Sequence, residues 1–225
     1  MELMVVVILI SILAMLAIPS MSAARFDRLA FSEASNITEL MRVAKTRSLA
    51  RGSAVLVRMQ ADTLGSVTPT QRGRFEVWEA VAPNATGAGW NRTPRSSCKS
   101  PTRWTLDATI PPSAGANAAF IDSVDLNGTY DAQGAVQAQI IDPTTNNAVA
   151  DMFLCYTPLG RVFYSIANAG LPNFDLAQPL VNVTAVRVYR YDATQASDAY
   201  SGLKKRGPLR IVSIPSAGMA RLVSR

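Results

Sequence analysis

The sequence predicts an α+β protein in which a long N-terminal α-helix packs on an antiparallel β-sheet head. Three observations predict this fold class. The first 24 residues are almost wholly apolar, and residues 25–51 repeat apolar side chains every three or four positions. The rest of the chain consists of short apolar or alternating runs between turn-forming residues. We therefore expect three segments, 1–24, 25–52 and 53–225, of which the last is one β-rich globular head.

The first segment has the length and hydropathy of a membrane span. No charged side chain occurs between Leu3 and Ala24, and about 20 such residues cross a hydrocarbon core of roughly 30 Å. A cleaved secretory signal is disfavoured because nothing basic precedes Arg25. A buried core helix would normally keep a polar face. A plain membrane anchor also fits, but it leaves the carboxylate of Glu2 unexplained.

The second segment continues the helix with an amphipathic pattern. Its helical stripe is formed by Phe26, Ala30, Ala34, Ile37, Leu40, Met41, Ala44 and Leu49. Basic residues gather near its end, where they complement the helix dipole, and Gly52 suits the position after the last turn. Residues 2–51 therefore predict one helix of about 75 Å.

Short strands follow the helix. The apolar or alternating runs predict strands at 54–59, 75–81, 118–125, 152–157, 162–166, 183–191 and 209–214. The pair Asn127-Gly128 predicts a tight hairpin between residues 124–126 and 129–130. We expect one antiparallel sheet or two small packed sheets, against which the amphipathic helix lays its stripe.

The start of the chain resembles a known signature. Glu2, the apolar run that follows it and Pro19 stand in the register found at the N-terminus of type IV pilins and type II secretion pseudopilins. The resemblance implies a pilin fold and a role in filament assembly for both residues. Glu2 would pair with the terminal amine of a neighbouring subunit, which sets axial register. Pro19 would permit a kink or local melting of the helix.

One part of that signature is missing. The family has a basic leader, a cleavage-site glycine and a phenylalanine that becomes the methylated N-terminus, whereas Met1 stands directly before Glu2 here. We interpret this as a start codon placed too late or as a trimmed chain. If Met1 were the true start, the prepilin peptidase would have no site.

Two further stretches narrow the resemblance to H-type pseudopilins and FimT and FimU minor pilins. They are residues 39–52 with the following strand, and the turn at 156–162, with a looser match at 210–218. This implies a minor pilin or pseudopilin that primes or caps a type IV pilus or a type II secretion pseudopilus. Its partners would be other pilins or pseudopilins through the N-terminal helix, the inner membrane before assembly, and the inner-membrane assembly platform. The expected location is a single pass in the bacterial inner membrane with a periplasmic head, then the filament tip.

Other assignments remain open. A membrane-anchored periplasmic protein outside any filament would explain the apolar segment but not the register of Glu2 and Pro19. The sequence does not separate pilus, secretion and competence systems.

The two cysteines, Cys98 and Cys155, follow the apolar segment. An oxidising periplasm would let them pair, and such a bridge would add roughly 4 kcal/mol on the chain-entropy model. The alternative is one buried and one exposed free thiol.

The composition gives no support for catalysis or for a cofactor. The chain contains no histidine, and two distant cysteines cannot form a zinc cluster. Residues 125–131 resemble a calcium loop faintly, but a solvated hairpin turn explains them better because further oxygen ligands are absent. We expect no enzyme, no catalytic residue, no metal site and no cofactor.

The basic residues are concentrated at the end of the chain. Residues 187–225 contain eight of them against two aspartates, a surplus equal to the whole net charge of +6. Such a segment is typical of polyanion binding, and some FimT-like minor pilins are DNA receptors in natural transformation. The candidate DNA-binding residues are Lys204, Lys205, Arg206, Arg210, Arg221 and Arg225. The first three lie directly before Gly207-Pro208, which predicts a loop there. The family motif Gly-Arg-x-Arg is kept only in part at residues 218–221, and a solvated edge strand, which lysines guard against pairing, explains the charge more simply than DNA binding does.

Overall fold

The computed structural model describes residues 2–61, 73–82, 93–99, 104, 106–107, 117–126, 130–131, 134–166, 178–193 and 203–224. Helix α1 (Glu2–Arg51) comes first, and the elements described after it are strands. These are β1 (Val55–Ala61), β2 (Gly73–Ala80), β3 (Leu106–Asp107), β4 (Ala118–Asp125), β5 (Tyr130–Asp131), β6 (Gly134–Ile141), β7 (Ala148–Val149), β8 (Asp151–Tyr156), β9 (Val162–Ile166), β10 (Gln178–Pro179), β11 (Thr184–Ala193), β12 (Leu203–Ile214) and β13 (Arg221–Ser224).

The strands form two sheets. The first sheet has the order β10-β9-β8-β1-β2-β4-β3, and the second has the order β13-β12-β11-β6-β5, with β7 also paired to β6. All pairs are antiparallel except β3 with β4. In the first sheet β9, β8, β1, β2 and β4 each pair with a neighbour on both sides, and in the second sheet β12, β11 and β6 do so.

The main core lies between the helix and the inner faces of both sheets. The helix contributes Phe26, Ala30, Ala34, Ile37, Leu40, Met41 and Ala44, all buried. These are the stripe residues that the spacing predicts, except Leu49, which is 51% exposed. Alternate residues of β1, β2, β6, β11 and β12 meet this stripe from the sheets.

The predicted fold class needs correction. Strands account for 47% of the described residues, so the protein is mostly antiparallel β rather than an α+β pilin fold with a long helix packed on one sheet. Among the helix side chains that the structure describes, the buried ones lie between Phe26 and Ser48. The prediction underestimated the β content because it overlooked β6 and four strands of two to four residues, β3, β7, β10 and β13.

The predicted membrane span at 1–24 is contradicted as well. Within the described residues, no helix is long and apolar enough to cross a bilayer. The predicted single-pass location in the inner membrane is therefore also wrong.

The predicted hairpin at Asn127-Gly128 is wrong in its pairing. These two residues lie outside the described part of the chain, but the strands on either side are described. Strand β4 pairs with β2 in the first sheet, whereas β5 pairs with β6 in the second. The chain therefore passes from one sheet to the other at this point.

Gly218 marks a close approach between the sheets. Its φ is +76°, and a Cβ atom built there would lie 2.6 Å from Val162 Cγ2 and 2.8 Å from Tyr156 Cε1. Tyr156 is fully buried, and burial raises the pKa of its phenol. Both the backbone conformation and the space therefore require glycine at position 218.

Candidate functional site

The beginning of α1 carries exposed apolar side chains on all sides. Seven of them are more than half exposed, namely Met4, Val6, Val7, Ile8, Ile10, Ile12 and Leu13. At 3.6 residues per turn they leave no gap wider than about 100° around the helix axis. The hydroxyl of Ser11 donates to the Val7 carbonyl oxygen at 2.8 Å, so this polar group is satisfied within the helix. The surface of residues 4–13 is thus apolar on every side of the helix, and we call it the apolar cylinder.

The two residues predicted to act in filament assembly lie within this helix. The helix begins at Glu2 and continues through position 19 to Arg51. The side chains of Glu2 and Pro19 lie outside the described residues.

An ion pair and a cation–π contact attach the helix to the second sheet. The carboxylate of Asp27 lies 3.2 Å from the guanidinium of Arg190, which is 7% exposed. Gly207, with a φ of +73°, lies against the same carboxylate, so a Cβ atom at this position would clash with Oδ1 of Asp27. One to two turns further along the helix, the guanidinium of Arg210 stacks over the ring of Phe31 at 5.5 Å. Two arginines of the basic segment are therefore used inside the fold.

A buried carboxylate attaches the other end of the helix to the first sheet. Glu79 of β2 is 3% exposed and lies 2.9 Å from the guanidinium of Arg47 and 3.0 Å from that of Arg51. The hydroxyl of Ser53 donates to Glu79 at 2.8 Å. The ammonium group of Lys45 donates to the carbonyl oxygen of Ala217 at 2.5 Å. Lys45, Arg47 and Arg51, which we expected to complement the helix dipole, thus also bind specific acceptors in the head.

The structure divides the candidate DNA-binding residues. Lys204, Lys205 and Arg206 belong to β12, where they pair with Asp192, Tyr191 and Arg190 of β11, and not to the predicted loop. The side chains of these three residues, and all of Arg225, lie outside the described part of the chain. Arg210 points toward the helix, as described above.

Arg221 lies on the opposite, outer face of the second sheet. Its cross-strand partner Ser213 alternates with the buried Val212 and Ile214, so both point away from the core. Arg187 of β11 shares this outer face because it is paired with Ile211. Strand spacing and rise place the Cα atoms of Arg187 and Arg221 about 12 Å apart. Arg187 belongs to the basic segment but was not among the predicted DNA-binding residues. Its position between Val186 and Val188 was the signal that it lies on the outer face of the strand.

Cys98 and Cys155 form the disulfide bond that the sequence predicts, with Cα atoms 6.0 Å apart. They belong to a second apolar cluster on the face of the first sheet that points away from the helix, together with Leu56, Trp78 and Trp104. The indole of Trp104 donates to the carbonyl oxygen of Cys98 at 3.2 Å. The bridge therefore fastens the segment around residue 98 onto the outer face of this sheet.

No group of three or more potential metal ligands occurs among the described residues. Residues 127–129 of the calcium-loop resemblance lie outside that part of the chain. No protein family, curated protein or solved structure matches this chain.

Proposed function

We propose that this chain is a filament subunit, a minor pilin or pseudopilin that primes or caps assembly of a type IV pilus or a type II secretion pseudopilus. One observation carries the proposal: the exposed apolar cylinder at residues 4–13 continues directly into a helix that is buried in the head from Phe26 onward. Burial of a side chain such as isoleucine or leucine is worth about 1.5–3 kcal/mol relative to leaving it in water. Burial of the side chains of the apolar cylinder would therefore strongly favour association.

The distribution of these side chains favours a bundle of helices as the partner. A helix that meets one partner surface needs a single apolar stripe, whereas a helix that is apolar all round must be covered on every side. Equivalent helices of other subunits provide such cover in the core of a filament. The head would remain outside this bundle, since its own core is already filled by the second half of the helix.

The test introduces one charge into the cylinder. We expect Ile10→Glu to abolish incorporation into sheared filaments in cells that carry a pilus or secretion machinery, because the carboxylate would be buried without a partner. The matched control is Val181→Glu, since Val181 is 74% exposed in the head and should tolerate the charge. Normal incorporation of Ile10→Glu, with wild-type protein present in the filament fraction, would refute the proposal.

A second candidate function is nucleic-acid binding, which the placement of Arg187 and Arg221 favours. These two cations share the outer face of the second sheet, away from the helix. A flat face with separated cations can contact phosphates without any change in the fold. This version of the hypothesis assigns no phosphate contact to Arg190 and Arg210, which are used to attach the helix.

A further inference from the structure

A cavity of about 470 Å³ opens beside the disulfide bond. One wall is formed by residues 96–99, and the other by the turn at 157–161 together with Phe163. Phe163 packs against the second apolar cluster, so the cavity lies on the face of the first sheet that points away from the helix. Its volume falls in the range of small-ligand sites, roughly 300–1,000 Å³.

Both walls are held by internal hydrogen bonds. In the turn, the amide of Thr157 donates to the carbonyl oxygen of Arg161 at 2.9 Å, and the amide of Arg161 donates to the hydroxyl of Thr157 at 3.1 Å. In the other wall, the amide of Lys99 donates to the hydroxyl of Ser97 at 3.2 Å. The disulfide holds Cys98 of one wall to Cys155, which precedes the turn of the other wall by two residues, so the cavity is formed without a ligand.

The lining combines apolar surface with positive charge. Pro158, Leu159 and Phe163 supply the apolar part, and Leu159 is 86% exposed. Lys99 and Arg161 supply two cations, and none of the lining residues that the structure describes is acidic. A guanidinium binds a carboxylate through two parallel hydrogen bonds, and an ammonium binds it as a point charge. The cavity therefore suits a ligand that carries a carboxylate next to an apolar group.

We propose that this cavity binds an acidic segment of a partner protein, in which a carboxylate lies beside an apolar side chain. The size of the cavity favours a protein segment over a nucleic acid, since it admits one or two side chains but not a duplex backbone. The carboxylate can come from an aspartate or glutamate or from the end of the partner's chain. This inference is independent of the proposed filament function.

The experiment uses the full chain and three small probes. N-acetyl-phenylalanine carries a terminal carboxylate, N-acetyl-aspartyl-phenylalaninamide carries a side-chain carboxylate, and N-acetyl-phenylalaninamide is the uncharged match. We expect at least one acidic probe to shift the NMR amide signals of residues 96–99 and 159–163 at a concentration at least tenfold below that of the uncharged probe. The acidic probe with the higher affinity identifies the source of the carboxylate.

Variants connect the binding to the two cations. Lys99→Gln and Arg161→Gln should each weaken binding about threefold to fivefold, as expected for ion pairs at partly exposed positions. Arg95→Gln is the matched control, because Arg95 is an exposed cation of the same segment that does not line the cavity. Equal binding of acidic and uncharged probes, or unchanged binding by both cavity variants, would overturn the proposal. A duplex oligonucleotide that shifts these signals while both acidic probes fail would also overturn it.

Discussion

Replacing Glu79 should detach the end of the helix from the first sheet. This carboxylate is 3% exposed and receives contacts from Arg47, Arg51 and Ser53 at 2.8–3.0 Å. Hydrogen bonds to a charged group contribute about 1.5–3 kcal/mol each. The side chains of Arg47 and Arg51 are 35% and 47% exposed, so water can solvate them once the carboxylate is gone. We therefore expect Glu79→Ala to lower the free energy of unfolding by about 3 kcal/mol, less than the full sum of contacts.

Thermal and urea denaturation in a neutral detergent measure this change. For a chain of this size, about 3 kcal/mol corresponds to a decrease in Tm of roughly 6–12 °C. Glu79→Gln keeps the shape and the contact with Ser53, so it should lose only about 1–2 kcal/mol. The control is Glu39→Ala, since Glu39 is 67% exposed and lies 3.8 Å from Arg42. If Glu79→Ala and Glu39→Ala unfolded at the same temperature within error, the assigned anchoring role of Glu79 would be wrong.

Two more predictions concern the second sheet and the contact between the sheets. If the outer face binds DNA, the double variant Arg187→Ala, Arg221→Ala should reduce the slope of log affinity against log salt by up to about two, as measured by fluorescence anisotropy. The control Arg42→Ala, on the exposed helix surface, should leave the slope unchanged. An unchanged slope in the double variant would exclude this face as the DNA-binding surface. Gly218→Ala should lower the free energy of unfolding, measured by urea denaturation, by about 2–4 kcal/mol, because backbone strain and overpacking add. Gly160→Ala should lower it by about 1 kcal/mol, because Gly160 has a similar φ of +77° but no atom within 4 Å of an added Cβ. Equal costs at the two glycines would contradict the close approach at position 218.

Local patterns predicted the elements that form clear apolar or alternating runs. The buried stripe of α1 repeats every three or four positions, and β1, β2, β4, β8, β9, β11 and β12 all appear where such runs lie. Strands β1, β2 and β8 are buried on both faces, whereas the side chains of β11 alternate. Strand β6 has the same alternation, with Val136, Ala138 and Ile140 buried, and the sequence reasoning overlooked it. Strands of two residues, such as β3 and β10, depend on the neighbour that pairs with them and leave no periodic signal.

Breaker residues misled the prediction at two places. Gly207-Pro208 indicated that Lys204–Arg206 form a loop, but β12 continues through them because the pairing with β11 shifts register between Val188 and Arg190. Asn127-Gly128 indicated a hairpin, but the neighbouring strands belong to different sheets. The candidate site was predictable where it depended on hydropathy, as in residues 4–13. The polar contacts of Asp27 and Glu79 depend on side chains far apart in sequence, which no local pattern reveals.

The disulfide bond has a mechanical consequence for any protein that is pulled along its length. Cys98 and Cys155 are separated by 57 positions, which would extend to roughly 190 Å as a fully stretched chain. While the bridge is intact, a pulling force cannot extend this part of the chain, even when all hydrogen bonds of the head are broken. It encloses β3, β4, β5, β6 and β7, so these strands stay free of load while the bridge is intact. In single-molecule pulling, a reducing agent should therefore increase the contour length of the unfolded head by about this amount. The reduced head would then be longer and more compliant under force.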